Sequence, residues 1–459
     1  QVEQAEKKSL PQTVIQLTDE IYKKAETEKN TPQMLKAYTW RMKYRDMLTP
    51  DSFYVNLKGL ERWEEGTAKP IDRAILNSLI AGIYANYASD NRWQIRQRPD
   101  IIGEEPSADI REWTGNMFVQ RVIRYTTNAL KDKQLLLETS SKHYVPFVEL
   151  GNASEYYHHD MYHLLGSRGI DALQLVEGID KDSLVKAGIE NIYQGMLDAY
   201  KKTGMTDGYV LTMLDYLSWK HNTDRNFVVY KAPKGMIGLT QDPYLAGLDK
   251  LKAEFESYDI CAEVYLAKAQ YAVEKRQQAS ALLLCDEAIK QYPGYKRINQ
   301  LKNLKFMILN PSLNIRTDQV IYPGEDLKLN VNHKNLDGFT VRLYQSKKLI
   351  SQQHYSLLRP GNYQEQDTVF TFKAPTEGTY RMRVIPDAKV KDDDERDLYV
   401  TRFKVLTLRI PGDRYEVVAL DNRSGQPIEG ATITLYDRDK KNLSEYITNA
   451  EGKVTFTYQ

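Results

Sequence analysis

A change of hydrophobic period at Asn310-Pro311 constrains the fold of this 459-residue chain more than any other feature. Before it, short runs of apolar residues recur at about 3.6 positions, the spacing of one helix face. After it, apolar and polar residues alternate, as in Leu327-Lys-Leu-Asn-Val331, which predicts strands. Proline lacks a backbone donor and stops a helix. The sequence therefore predicts a helical region followed by a β region.

The helical region consists of amphipathic segments joined by polar turns. They lie near 10–28, 31–47, 71–89, 109–131, 154–166, 182–203 and 245–309. Near 259–293, the residues Tyr265, Ala269, Ala281 and Ala288 precede Pro293 at spacings where tetratricopeptide repeats place an aromatic and small residues. This pair is either such a repeat or an ordinary helical hairpin. We predict an irregular α-solenoid in two regions, 1–150 and 151–310.

The β region is predicted to form immunoglobulin-like modules. Residues 311–410 have the length of one sandwich, with 400–410 as its closing segment. The charged segment Lys391–Asp397 is interpreted as a solvated hairpin tip in preference to a metal site. Residues 411–459 begin a second module, which is predicted to be incomplete because a sandwich needs around seven strands.

Charge and cysteine content argue against several classes of function. With 63 basic and 62 acidic residues, the net charge of +1 gives no field to attract nucleic acid. No stretch approaches the ~20 apolar residues of a membrane span. Cys261 and Cys285 are predicted to be buried apolar side chains, neither bonded to each other nor reactive. The sequence has no glycine-rich phosphate loop and no Gly-x-Ser-x-Gly turn. We expect no cofactor and no enzymatic activity.

One constellation could bind a metal. Glu155, His159 and His163 are spaced i, i+4 and i+8, which on one helix would place all three on one face, as zinc ligands require. Asp160 stands where the zinc proteases carry a catalytic glutamate. The dense tyrosines around it favour the simpler interpretation, a helix whose rings pack inward. We therefore assign neither a metal nor a catalytic residue, and keep the three as candidates.

The β region carries a motif made of turn residues. Asp421, Gly425, Pro427, Gly430 and Ala431 precede a predicted strand over 432–436, and Thr448-x-x-x-Gly452 precedes another. The glycines supply turns, the proline stiffens the link, and the alanine permits close packing. This pattern resembles the macroglobulin domains of bacterial α2-macroglobulin family proteins.

A second set of residues extends the resemblance. Leu10-Pro11, Ile21-Tyr22 with Ala25, Asp109-Ile-Arg-Glu-Trp113 and the stretch 157–171 are similar to the N-terminal region of large Bacteroidetes-type members. The resemblance implies a protease inhibitor of the periplasm or cell surface, with a lipid anchor upstream of residue 1 as one option. In that family, a protease cuts a bait segment and is trapped, and a Cys–Gln thioester can couple to it.

The resemblance also implies limits on what this chain contributes. A thioester needs Gln three residues after Cys, whereas Cys261 leads to Val264 and Cys285 to Ala288. The expected role is therefore a non-catalytic scaffold, with target proteases, and other envelope proteins, as partners of the full-length protein. The alternative is a surface protein whose helical region binds a glycan or peptide, with the sandwiches as spacers.

Overall fold

The computed structural model describes residues 1–49, 52–99, 107–152, 154–180, 182–223, 242–373, 375–388, 394–436 and 441–457. Helices fill the first part and strands the second, which confirms the predicted fold class. The helices are α1 (Val2–Lys7), α2 (Pro11–Thr27), α3 (Thr31–Leu48), α4 (Ser52–Gly66), α5 (Pro70–Asp90), α6 (Arg92–Arg96), α7 (Gly115–Ala129), α8 (Lys133–Glu138), α9 (Met161–Leu175), α10 (Asp182–Thr203), α11 (Thr206–Thr223), α12 (Pro243–Phe255), α13 (Cys261–Glu274), α14 (Gln278–Gln291) and α15 (Asn299–Leu309).

Two compact units divide the chain, Gln1–Val264 and Tyr265–Gln459. In the first, α5 is the central helix and packs against both α7 and α9. Its alanines Ala81, Ala85 and Ala88 are buried and recur at helical spacing, which lets neighbouring helices approach closely. No helix in the described ranges is both long and apolar enough to span a membrane.

The hairpin of α13 and α14 contains the predicted repeat-like pair. Tyr265, Ala269, Ala281 and Ala288 are all fully buried, as the spacing requires. The Tyr265 hydroxyl donates a hydrogen bond of 2.8 Å to Glu287. Both cysteines, at 261 and 285, are buried, as predicted, and neither forms a disulfide.

The first β module is a sandwich of two sheets around one core. Its strands are β1 (Ser312–Arg316), β2 (Val320–Ile321), β3 (Leu327–Lys334), β4 (Gly338–Gln345), β5 (Lys348–Ser356), β6 (Gln366–Phe372), β7 (Gly378–Pro386) and β8 (Asp394–Val400). One sheet has the order β1-β3-β6 and the other β2-β8-β7-β4-β5. Leu327, Leu329 and Val331 alternate inward from β3, as the period of two predicts.

The predicted hairpin tip at Lys391–Asp397 includes the start of a strand. Positions 391–393 lie outside the described residues, but Asp394 begins β8. Asp397 and Glu395 then form ion pairs of 3.3 and 3.4 Å with Arg381 and Arg383 of the adjacent β7. Cross-strand charge pairing explains why so charged a segment forms a strand.

The second β module contains β9 (Phe403–Ile410), β10 (Arg414–Asp421), β11 (Thr432–Tyr436), β12 (Asn442–Ile447) and β13 (Lys453–Thr457). These form a sheet of order β13-β10-β9 and a pair β11-β12. Strand β9 pairs with β10 along its whole length. Residues 403–410 therefore belong to the second module and do not close the first, whose last strand ends at Val400.

Candidate functional site

The segment 155–163 does not form the single helix that a zinc-binding face needs. Glu155 lies in a 3-10 helix over Ser154–Tyr157. His159 has a left-handed backbone, with φ 57°, and α9 begins only at Met161. Glu155 and His159 therefore do not share a helix face with His163, and the predicted i, i+4, i+8 geometry is wrong. No group of three or more His, Cys, Asp or Glu side chains suited to a metal occurs among the residues that the structure describes.

Asp160 is the reason that the helix begins where it does. Its backbone is extended, and its Oδ1 atom accepts a hydrogen bond of 2.6 Å from the backbone N–H of His163. An aspartate in this position is a strong helix N-cap, because it satisfies an amide that the helix leaves unpaired. The residue in the place of a zinc protease's catalytic glutamate thus has a local structural role.

Burial changes the acidity of both titratable groups at this cap. Asp160 is 5% exposed, and burial raises the pKa of its carboxyl to about 7. The His163 ring stacks on Tyr157, with ring centroids 3.3 Å apart, and burial lowers its pKa to about 4. The imidazole is therefore neutral at pH 7.

Polar atoms around this cap remain unpaired. Asp160 Oδ2, His163 Nδ1 and Tyr200 Oη are buried without a hydrogen-bond partner in the described part of the chain. The Tyr200 ring lies 5.6 Å from that of Tyr157, and burial raises the Tyr200 pKa. The arrangement is a buried polar cluster inside the helical core, which favours a structural role.

The Asp109-Ile-Arg-Glu-Trp113 segment packs against helix α5. Its middle residues form a 3-10 helix, and the Arg111 guanidinium donates to both carboxylate oxygens of Asp109, including one contact of 2.7 Å. The Trp113 ring stacks on Tyr84 of α5, with centroids 5.4 Å apart and planes 8° apart. This motif holds the chain against α5.

The turn motif of the second β module folds into one hydrogen-bonded loop. Gly425 N–H donates to the Asp421 carbonyl at 2.9 Å, and Leu420 and Pro427 form an isolated antiparallel bridge. Gly430 and Ala431 bond to Thr448 through backbone and side-chain atoms. The predicted turn residues Gly425, Gly430 and Gly452 all have positive φ, between 68° and 75°.

Gly452 closes that loop at a point of close backbone approach. Its carbonyl accepts a hydrogen bond of 2.8 Å from Ala419 N–H. A Cβ atom at position 452 would lie 2.5 Å from the Ala419 carbonyl oxygen. Position 452 therefore requires glycine for two reasons: a Cβ atom would clash with the Ala419 carbonyl oxygen, and the backbone has a positive φ.

Asp421 also joins the two β modules. Its Oδ1 atom accepts hydrogen bonds from the backbone and hydroxyl of Ser424, at 2.8 and 2.9 Å, and from Arg423 N–H at 3.1 Å. Its Oδ2 atom accepts one of 3.0 Å from the hydroxyl of Tyr322, in the loop after β2. These bonds, led by that from the Ser424 backbone, lower the Asp421 pKa to about 2.

A second contact strengthens this junction. Arg423 forms an ion pair with Glu325, and its guanidinium lies over the Tyr322 ring, 5.1 Å from the centroid. We call Tyr322, Glu325, Asp421 and Arg423 the module latch. The sequence predicts Asp421 as a turn residue but carries no signal for Tyr322 and Glu325, because these lie in a loop about a hundred positions away.

Comparison with known proteins gives distant likenesses to solved structures. No protein-family model matches the sequence, and no curated protein matches it significantly. Two crystal structures of native alpha-2-macroglobulin from Escherichia coli are similar in part. The one spanning domains NIE-MG1 is 12% identical, with a TM-score of 0.26, over 33% of this chain and 88% of that chain. The one spanning MG0-NIE-MG1 is 14% identical, with a TM-score of 0.26, over 32% of this chain and 57% of that chain. At these values the likeness does not assign this chain to a family.

Proposed function

We propose that this chain is a non-catalytic scaffold, the N-terminal part of an α2-macroglobulin-like envelope protein that inhibits endopeptidases by trapping them. The proposal starts from the motif residues that resemble macroglobulin domains. The observation that carries it is the module latch, because the Asp421 turn of that motif is also the contact that joins consecutive β modules.

A rigid junction suits a protein that must move as a block. Trapping requires that a cut in one segment be converted into a displacement of whole modules. Two β modules joined only by a flexible linker would absorb such a displacement locally. The hydrogen bonds and the ion pair between the two modules restrict their relative motion, so a displacement of one module is passed on to the other.

The cysteines support a scaffold role for this part of the protein. Cys285 is fully buried, and burial raises the pKa of its thiol to about 11, which leaves almost no thiolate at neutral pH. Neither cysteine has the Gln three positions later that a thioester needs. Covalent capture, in this proposal, belongs to another part of the full-length protein. Its partners are target proteases and other envelope proteins, in the periplasm or at the cell surface.

The test is to incubate the protein as its gene encodes it with several endopeptidases and to follow cleavage and size. The proposal expects one early cut, compaction in small-angle scattering, and co-elution of the protease with the cut protein. Tyr322→Phe should reduce compaction, whereas Tyr399→Phe, which alters an exposed tyrosine of β8, should not. Progressive degradation without retained protease would overturn the proposal.

A further inference from the structure

The helical unit contains a cleft that the scaffold role does not use. It encloses about 310 Å³ between α3, α5, α9 and the segment 147–149. This is the lower end of the size range of small-molecule sites in proteins. A ligand for it would be small.

The interior of the cleft is mainly apolar, and Thr39 and Ser78 are its uncharged polar residues. Its deepest side chains, Ile75, Met161 and Leu165, are at most 2% exposed and belong to the core of the helical unit. Leu79, Leu164 and Phe147 line the partly open walls. Because α5 and α9 are anchored in the core on their other faces, the cleft is a preformed feature of the packing.

Two side chains of opposite charge line this cleft and do not pair with each other. Arg168 and Glu149 are both exposed, and within the described ranges neither forms an ion pair or hydrogen bond. Burial raises the pKa of Asp171 on the same helix, and the charge of Arg168 opposes this rise through an electrostatic interaction. Oppositely charged side chains on one small cleft usually neutralise each other when they can reach. The guanidinium of Arg168 lies instead over Gly82, where a Cβ atom would be 3.8 Å from its Nη2.

We infer that this cleft binds a small zwitterion with an apolar side chain, a free hydrophobic amino acid or a short apolar peptide. Arg168 would receive the ligand's carboxylate, since a guanidinium matches a carboxylate through two parallel hydrogen bonds. Glu149 would receive the ammonium group, and the apolar interior would bury the side chain. The inference concerns the helical unit and does not depend on protease trapping. It gives a specific form to the peptide-binding alternative.

The experiment titrates the intact chain with L-leucine and two analogues, with binding measured by calorimetry and by ligand-observed NMR. L-Leucinamide lacks the carboxylate, and 4-methylpentanoic acid lacks the ammonium group. L-Leucyl-L-leucine tests whether a longer peptide fits. The protein variants are Arg168→Gln and Glu149→Gln, with Arg62→Gln as the control at another exposed arginine, and circular dichroism checks that each is folded.

We expect the two cleft variants to weaken the binding of different ligand analogues. Arg168→Gln should weaken leucine and 4-methylpentanoate by about tenfold or more, the scale of one charged hydrogen-bonded contact, and leave leucinamide unchanged. Glu149→Gln should weaken leucine and leucinamide and leave 4-methylpentanoate unchanged. Arg62→Gln should change none of them. Absence of saturable binding at millimolar ligand, or binding that neither cleft variant alters, would overturn the inference.

Discussion

The hydroxyl of Tyr322 donates a hydrogen bond of 3.0 Å to Asp421 across 99 positions of sequence, and joins two β modules. The same carboxylate also accepts hydrogen bonds from the backbone and hydroxyl of Ser424. Its own turn therefore holds it in position independently of Tyr322. We expect Tyr322→Phe to leave both modules folded but to increase motion between them. Nuclear spin relaxation should then give separate tumbling times for the two modules, whereas the unaltered protein should give one.

The control for the latch is Tyr399→Phe. Tyr399 lies in β8 and is 40% exposed, so its substitution alters a surface tyrosine of the same module without touching the junction. A single tumbling time in all three proteins would show that the hydrogen bond does not determine how the modules move.

Glycines at two positions of the turn motif should respond differently to substitution. Gly425 and Gly452 both have positive φ, which costs a residue with a Cβ atom about 1–2 kcal/mol. No atom lies within 4 Å of a Cβ atom at 425, but the Ala419 carbonyl oxygen blocks one at 452. Gly452→Ala should therefore lower the free energy of unfolding by about 3 kcal/mol or more, and Gly425→Ala by about 1–2 kcal/mol. Urea unfolding followed by circular dichroism measures both, and equal losses would refute the steric argument.

The sequence predicts structure well where the signal is local. The period change at Asn310-Pro311, the inward alternation of β3 and the turn glycines are each encoded within a few residues, and the structure contains all of them. The 155–163 segment shows the limit of this reasoning. Helical spacing alone could not reveal that Asp160 would compete as an N-cap and begin the helix after His159.

Contacts between distant segments are where the sequence carries no signal. Strand β9 has the alternation that any strand of the first module would have, and only its pairing with β10 shows that it belongs to the second. Tyr322 looks like part of an ordinary turn before β3. Its role depends on where the Asp421 turn lies in space, which a single sequence does not give.

Asp160 should make the helical unit less stable as pH rises. Its pKa is about 7 in the folded protein and 3.8 ordinarily, so between these values the folded state binds more protons than the unfolded state. Stability contributed by the protonated carboxyl is therefore lost as pH rises from about 4 to about 7, by on the order of a few kcal/mol. The lowered pKa of His163 adds stability over about pH 4 to 6.5 and so opposes this loss in the unaltered protein. The Asp160 contribution is therefore the difference in thermal unfolding between the unaltered protein and a variant with no charge at position 160, measured from pH 4.5 to pH 8.

Asp160→Asn isolates that effect. Asparagine keeps the cap, because its Oδ1 atom can accept the same hydrogen bond, but it carries no charge. The stability of the variant relative to the unaltered protein should be greatest at pH 8, and this difference should shrink as pH falls toward 4. Asp160→Ala loses the cap and should be less stable than Asp160→Asn by about 1 kcal/mol at every pH. A constant difference between the unaltered protein and Asp160→Asn across the range would contradict the shifted pKa.

Cys285 should resist thiol reagents in the folded protein. Its side chain is fully buried in α14, and its thiol has a pKa of about 11, so both access and ionisation oppose reaction. In a Cys261→Ala background, we expect labelling by a disulfide reagent at pH 8 to follow the unfolding of this helix, and to become fast only in denaturant. Rapid labelling of the native protein would show that the α13–α14 hairpin opens readily.

Asn335 should stabilise the connection between the last helix and the first β module. It lies in the turn between β3 and β4, where its Nδ2 atom donates to the carbonyl oxygens of Ile308 and Leu309 at 2.9 and 3.0 Å. These are carbonyls at the end of α15, which no residue of the helix can satisfy.

The backbone of Asn335 is left-handed, with φ 53°, so glycine can replace it without strain. Asn335→Gly therefore removes only the hydrogen bonds and should cost about 1–2 kcal/mol. Asn335→Ala adds the conformational penalty and should cost about 1 kcal/mol more. Urea unfolding compares the three proteins, and a glycine variant as stable as the unaltered chain would mean that water satisfies these carbonyls equally well.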